Sequence, residues 1–207
     1  MLTTSLRDTC LGNLGGFVGL IKSFTNWRAG TVTEAAYTGY GTRPAITYGA
    51  AADTSPVAGR QKSNSAAVTF PQNTGSNEDQ IGYGIWSAAT AGTLHAIGML
   101  DTDPPVFGVG QTDDFIHSIA HGLQTDQRVY FLAAPGGTTP TGLSENTAYF
   151  VLAAGLTADL FKLSTTSGGA AVDVTVGGSG LFISYKAVTV ATNATPEFAI
   201  GAIVIQI

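Results

Sequence analysis

Charge is the scarcest feature of this 207-residue chain. Nine Lys and Arg and fourteen Asp and Glu make up 11% of it, against about 25% in a typical globular protein. Nine cations spread thinly at a net charge of −5 give no electrostatic footprint for nucleic acid. Cysteine is almost missing. Cys10 stands alone, which excludes an internal disulfide and a cysteine-based zinc site. No stretch approaches about 18 uninterrupted apolar residues, so a spanning helix is excluded. Met1-Leu2-Thr3-Thr4-Ser5 lacks the basic run and apolar block of a secretion signal.

What is present is apolar and flexible. Hydrophobic residues are 44%, enough for a core, which rules out wholesale disorder. Glycine supplies 27 positions, about twice the usual share of roughly 7%. The length suits one domain, or a domain carrying a smaller one. A surface rich in Thr, Ser, Gly and Ala suits a subunit of an assembly, because charge is what keeps free monomers soluble and apart.

The start reads as one short helix. Leu2, Leu6, Cys10, Leu11 and Leu14 fall at helical spacing, Ser5 and Asp8 give a cap signal, and Gly15-Gly16 stops it. On that face Cys10 is a packing residue rather than a nucleophile. The rest reads as short strands bounded by Gly, Pro, Asn and Ser: 42–49, 66–70, 80–86, 93–100, 115–120, 128–133, 148–152, 160–164, 171–176, 181–185, 187–191 and 198–206. In Ile81-Gly82-Tyr83-Gly84-Ile85 one face carries the large side chains. The other is nearly bare, which lets another backbone approach closely.

These patterns predict an all-β protein, a sandwich-like or barrel-like parent domain with a short N-terminal helix. Asp101-Thr102-Asp103-Pro104-Pro105 reads as a junction, and the texture shifts again near Tyr185-Lys186. Neither alternate set of side chains in 198–206 is polar. That strand should be buried on both faces, or on one by a partner chain, and must return to the main core. The expected organisation is therefore a parent domain of 1–103 and 187–207 with a β module, 104–186, inserted into it.

No catalytic set assembles. His117 and His121 are four apart, but along a strand that places them about 13 Å apart, too far for one metal ion. A surface His117 and a turn His121 are the better reading. Gly177-Gly178-Ser179-Gly180-Leu181 departs from a nucleophile elbow at its last position and precedes a strand. Glu78-Asp79 and Asp113-Asp114 are adjacent carboxylates, not a pair facing across a cleft, and read as solvated loop charges. Asp101-Thr102-Asp103 lacks the spacing of a calcium loop and reads as a turn. The glycine-rich turns match no phosphate cradle. The expectation is a protein that is not an enzyme and needs no cofactor or metal.

Several motifs carry a resemblance. Tyr40-Gly41-Thr42-Arg43, the run from Ser63-Asn64-Ser65 to Phe70-Pro71, Ile81 to Trp86 followed by Gly92-Thr93-Leu94, and Gly201-Ala202-Ile203-Val204-Ile205 are similar to bacteriophage virion proteins labelled tail fibre or Gp80-like. In that family the last strand follows soon after the equivalent of Leu100; here roughly eighty residues intervene, the size of a small domain. The intervening part resembles a small β module of phage structural proteins, through Ala120-His121-Gly122-Leu123, Asp126-Gln127-Arg128-Val129, Asn146 to Val151 and Leu160 to Ser164.

The resemblance implies a virion component. With the low charge, it points to a capsid decoration (cement) subunit that forms homo-oligomers, a trimer among them, and contacts the major capsid protein. No nucleic acid or membrane is expected as a partner. Phe17, Trp27, Tyr37, Tyr40, Tyr48, Trp86 and Phe198 are the candidate interface residues. Aromatics dominate interfaces, and they dominate cores as well. The alternative is a tail-tip or fibre-like protein whose aromatics stack on host-surface glycan.

Overall fold

The computed structural model of the chain describes residues 4–54, 59–101, 106–109, 114–133, 137–175 and 182–206. It is all-β with one short helix, and no sheet closes on itself among the described strands. Helix α1 spans Thr4–Gly12. Its buried stripe is Arg7 and Leu11, four apart, while Leu6 and Cys10 are exposed. The expected burial of Cys10 is thus corrected: the helix sits rotated so that the Arg7 side faces inward. Ser5 and Asp8 both fall within the helix, and the Asp8 carboxylate pairs with Arg60. The helix ends ahead of Gly15, with the Asn13 N–H donating to Thr9 O.

The first sheet has four strands in the order β2-β1-β7-β8: β1 (Phe17–Asn26), β2 (Thr31–Glu34), β7 (Gly82–Trp86) and β8 (Leu94–Met99). Strand β1 escapes the alternation test because Val18, Gly19, Leu20 and Ile21 are all buried in succession, as a central strand covered on both faces must be. Around it lie β3 (Ala52–Thr54), β4 (Gly59–Ser63), β5 (Val68–Thr69) and β6 (Glu78–Gln80). The strand expected at 42–49 is reduced to single bridges, Ala45 to Phe17 and Tyr48 to Asn64. Its backbone groups alternate between two hosts instead: Pro44 O and Ile46 N–H bond the start of the β1 region, and Thr47 O and Gly49 N–H bond residues 63–65.

A seven-stranded sheet is built from β9 (Val106–Val109), β10 (Ile116–His117), β11 (Arg128–Ala133), β12 (Ala148–Val151), β13 (Leu160–Phe161), β14 (Leu163–Ser164) and β15 (Phe182–Lys186), in the order β13-β10-β9-β15-β11-β12-β14. These strands pair only among themselves within the described residues. The C-terminal strands β16 (Val188–Val190), β17 (Glu197–Phe198) and β18 (Val204–Gln206) return to β6, β5 and β4. The strand expected at 171–176 is not formed in 171–175, where Val174 instead donates its N–H to Asp114 Oδ1.

The expected single strand 198–206 is also corrected. A turn at 199–202 splits it, with Gly201 at φ 78° and the Ala202 N–H on Ala199 O. Buried Asn64 holds that turn: its Nδ2 donates to Ala199 O at 2.8 Å and its Oδ1 accepts from the Ile203 N–H at 2.9 Å. The two-faced burial fails with it, because Ile203 is enclosed while Ile200 is 69% and Val204 41% exposed.

Strand β11 explains how the two groups of strands meet. Successive side chains point to opposite faces. Val129, Phe131 and Ala133 enter a core made wholly within 116–174, whereas Tyr130 and Leu132 enter a second core with Ile21, Phe24, Ile81 and Trp86.

Candidate functional site

The bare face of β7 meets a backbone oxygen, Gly98 O, at 2.7 Å from a Cβ placed at Gly82, and indole rings at both glycines. A Cβ added at Gly84 would lie 2.6 Å from the Trp86 ring, and one at Gly82 would lie 3.1 Å from the Trp27 ring. Gly19, which pairs with Gly84, meets the same Trp86 ring. The glycines are therefore seats for tryptophan.

Arg43 is buried beside this seat. Its guanidinium lies 4.2 Å from the centroid of the Trp86 ring. Nε donates to Glu34 Oε1 at 2.8 Å, Nη2 to Glu34 Oε2, and Nη1 to the carbonyls of Ala88 and Ala91. Tyr40 adds its hydroxyl to Glu34 Oε1 at 2.9 Å and accepts the Leu20 N–H. Burial and the adjacent Glu34 carboxylate push the Tyr40 hydroxyl far above the ordinary phenol range.

A second polar hub lies on β6. Glu78 accepts the N–H groups of Ala36 and Tyr37 and the Gln80 amide, and pairs with Lys22 at 3.3 Å. Asp79 accepts from Thr189 Oγ1 at 2.6 Å. The reading of Glu78-Asp79 as solvated loop charges is thus corrected: both sit half-buried in a strand with their oxygens engaged. Beside them Arg128 Nη2 donates to the carbonyls of Lys22 and Asp79, and Tyr130 Oη to Lys22 O. Trp27 N–H donates to Asn146 Oδ1 at 2.9 Å. These bonds tie the seven-stranded sheet to β1 and β6.

The candidate interface aromatics are all drawn into the chain to some degree. Tyr37 and Trp86 are 5% exposed, and Phe17, Trp27, Tyr40, Tyr48 and Phe198 are partly buried. Tyr37, Tyr40, Phe70, Phe198 and Tyr83 form one run of ring contacts at 5.1–6.3 Å between centroids. Among the described residues the large hydrophobics that stand exposed are aliphatic. Ile119, at 88%, is the most exposed of the large hydrophobics and sits on a turn tied to 158–159 by backbone bonds and by Asp159 Oδ1.

His117 is exposed and His121 buried, its Nδ1 accepting the Leu123 N–H at 2.9 Å and its ring edge-on to Phe161. Among the described residues no group of three His, Cys, Asp or Glu is placed to hold a metal ion. Asp101 is buried, with Oδ2 accepting the Lys186 N–H. The rest of the loop at 102–105, Asp113 and the glycine-rich segment 177–180 lie outside the described residues.

The geometry is thus that of a β body whose charged and aromatic side chains serve internal ties. No curated protein and no solved structure matches the sequence. A family model described as Podophage GP4 fiber I protein gp80 matches residues 15–122. The match takes in β1 to β8 with the Glu34–Arg43–Trp86 ties, and it runs on through β9 and β10. It covers more than half of the sequence, and the chain belongs to this family of phage fibre structural proteins.

Proposed function

We propose that the chain is a non-catalytic subunit of a virion appendage, working by association with copies of itself and with neighbouring virion proteins. The observation that carries this reading is where the chemistry-bearing groups are spent. Arg43, Glu34, Glu78, Arg60 and Asp8 are engaged in ties within the chain. The exposed remainder is low in charge and displays Ile119, Ile200 and Val204. Low-charge β surface gains by burial in an assembly, and binding only the assembled state favours that state. In the same reading 104–186 is an inserted module that docks through the Tyr130 face of β11 and projects from the parent body. Its strands pair among themselves, while the flanking strands pair with each other.

The family's printed description, a fibre protein, supports a place on a fibre or tail. A capsid decoration role is the second reading, favoured by the low charge content of the chain. Copy number on purified particles separates the two. A handful of copies, with antibody label at the tail, is the expected result. Hundreds of copies spread over the head would overturn it in favour of decoration.

A further inference from the structure

Ile119 is 88% exposed. A lone exposed aliphatic is ordinary, but this one stands on a fixed turn. The Ser118 N–H donates to Asp159 O at 2.9 Å, the His121 N–H to Ala158 O at 3.2 Å, and the Ala120 N–H to Asp159 Oδ1 at 2.9 Å. Ala120 itself is left-handed, at φ 51°. A side chain held this way loses little further freedom when it is buried by a partner. Beside it the exposed Asp159 carboxylate forms no ion pair among the described residues.

An apolar groove of about 240 Å³ opens between β1, β5 and the C-terminal strands, walled by Leu20, Phe70, Val188, Val190, Pro196 and Phe198. An apolar cavity of about 150 Å³ already admits a benzene ring, so this groove has room for a branched aliphatic side chain. It shares Leu100 and Val188 with a polar cleft that reaches Lys186. The Lys186 ammonium forms no ion pair among the described residues. The apolar knob thus carries an unpaired anion at its side, and the apolar socket an unpaired cation. Glu197, also on the wall, repels a carboxylate. The pair of charges therefore favours one seating, with Asp159 turned towards Lys186.

We propose that Ile119 of one copy seats in this groove of a second copy, with Asp159 meeting Lys186. An exposed aliphatic that matches an apolar pocket elsewhere on the same molecule joins copies through unlike surfaces. Copies held on one particle meet at high effective concentration, which makes a contact of this modest size sufficient there. This inference rests on the reading of the chain as an assembly subunit and names one contact between its copies.

The test is sedimentation equilibrium of the full chain from micromolar to millimolar concentration at low salt. The unaltered chain should self-associate. Ile119→Asp and Val188→Asp each change an exposed side chain, so both variants should keep the circular dichroism spectrum of the parent. Each should weaken self-association about thirtyfold, the loss usual at a central contact. The first variant keeps its socket and the second its knob, so an equal mixture should form a one-to-one complex that grows no further. Asp159→Asn keeps the acceptor for Ala120 and removes the charge. It should weaken association at low salt as much as Lys186→Gln does, and the double variant no more than either. A chain that stays monomeric throughout would overturn the proposal. So would association that Ile119→Asp leaves unchanged, or a mixture of the two aspartate variants that remains inert. Particle counting tests where the chain resides, and sedimentation tests the contact, so each can fail alone.

Discussion

Arg43 and Glu34 form a two-pronged pair beneath the surface, with Nε to Oε1 at 2.8 Å and Nη2 to Oε2. The same guanidinium takes two carbonyls of the β7–β8 turn and lies against Trp86. One side chain thus joins β2, the turn and the indole that fills the glycine seat. Arg43→Ala should destabilise the chain by about 3 kcal/mol, because it strands a carboxylate and two carbonyls. Arg43→Lys should recover only part of that, since a point charge cannot make the planar fork. A lowered urea midpoint at unchanged slope is the expected readout.

Gly84→Ala should cost about 2 kcal/mol, because the added carbon falls 2.6 Å from a packed indole ring. Gly12→Ala is the matched control. It meets nothing within 4 Å at the end of the helix, and thermal unfolding should be unchanged or slightly raised. Equal melting temperatures for the two variants would contradict the tryptophan-seat account.

Burial pushes the Glu78 carboxyl up, but the Ala36 N–H, the Gln80 amide and Lys22 together outweigh it and hold its pKa below the ordinary value. A carboxyl with a depressed folded-state pKa contributes in full above the unfolded value of about 4.3 and loses that contribution as pH falls through the folded one. Urea midpoints should therefore fall off on acidification below that range. Glu78→Gln should be less stable near neutrality and show a shallower acid decline.

Burial raises the hydroxyls of Tyr37 and Tyr48 to about 12. Their unfolded counterparts ionise near pH 10. Between these values the unfolded chain holds fewer protons, so stability falls as pH rises through that window. Phenolate absorbance should appear together with loss of the β-sheet circular dichroism signal, and Tyr37→Phe with Tyr48→Phe should shift the transition to higher pH.

Cys10 is exposed on α1. A thiol reagent should label it stoichiometrically in the folded chain without denaturant. Cys10→Ser should change stability by no more than about 0.5 kcal/mol. Labelling that required unfolding would place the helix in a different rotation.

Legibility followed the range of the physics. Strand β11 was readable at its observed ends because turn residues bracket a short aromatic and β-branched run, and β8 and β12 were readable for the same reason. Strand β1 was not, because burial on both faces erases the period that marks a strand. Residues 42–49 look strand-like, yet their hydrogen bonds are divided between two hosts. The groove has no signature at all: Leu20, Gln80 and Phe198 are far apart in the chain, and only folding sets them around one space.

Composition and turn spacing alone determined that this is a low-charge, all-β chain, and its motifs alone pointed to a phage virion family. Those properties are sums over residues or patterns within a few positions. Only the tertiary structure decided that tryptophans occupy the glycine face, that Arg7 rather than Cys10 turns inward on the helix, and that Gln80 keeps an unpaired oxygen. Each of these depends on which distant group arrives at a given surface, and no local pattern encodes that.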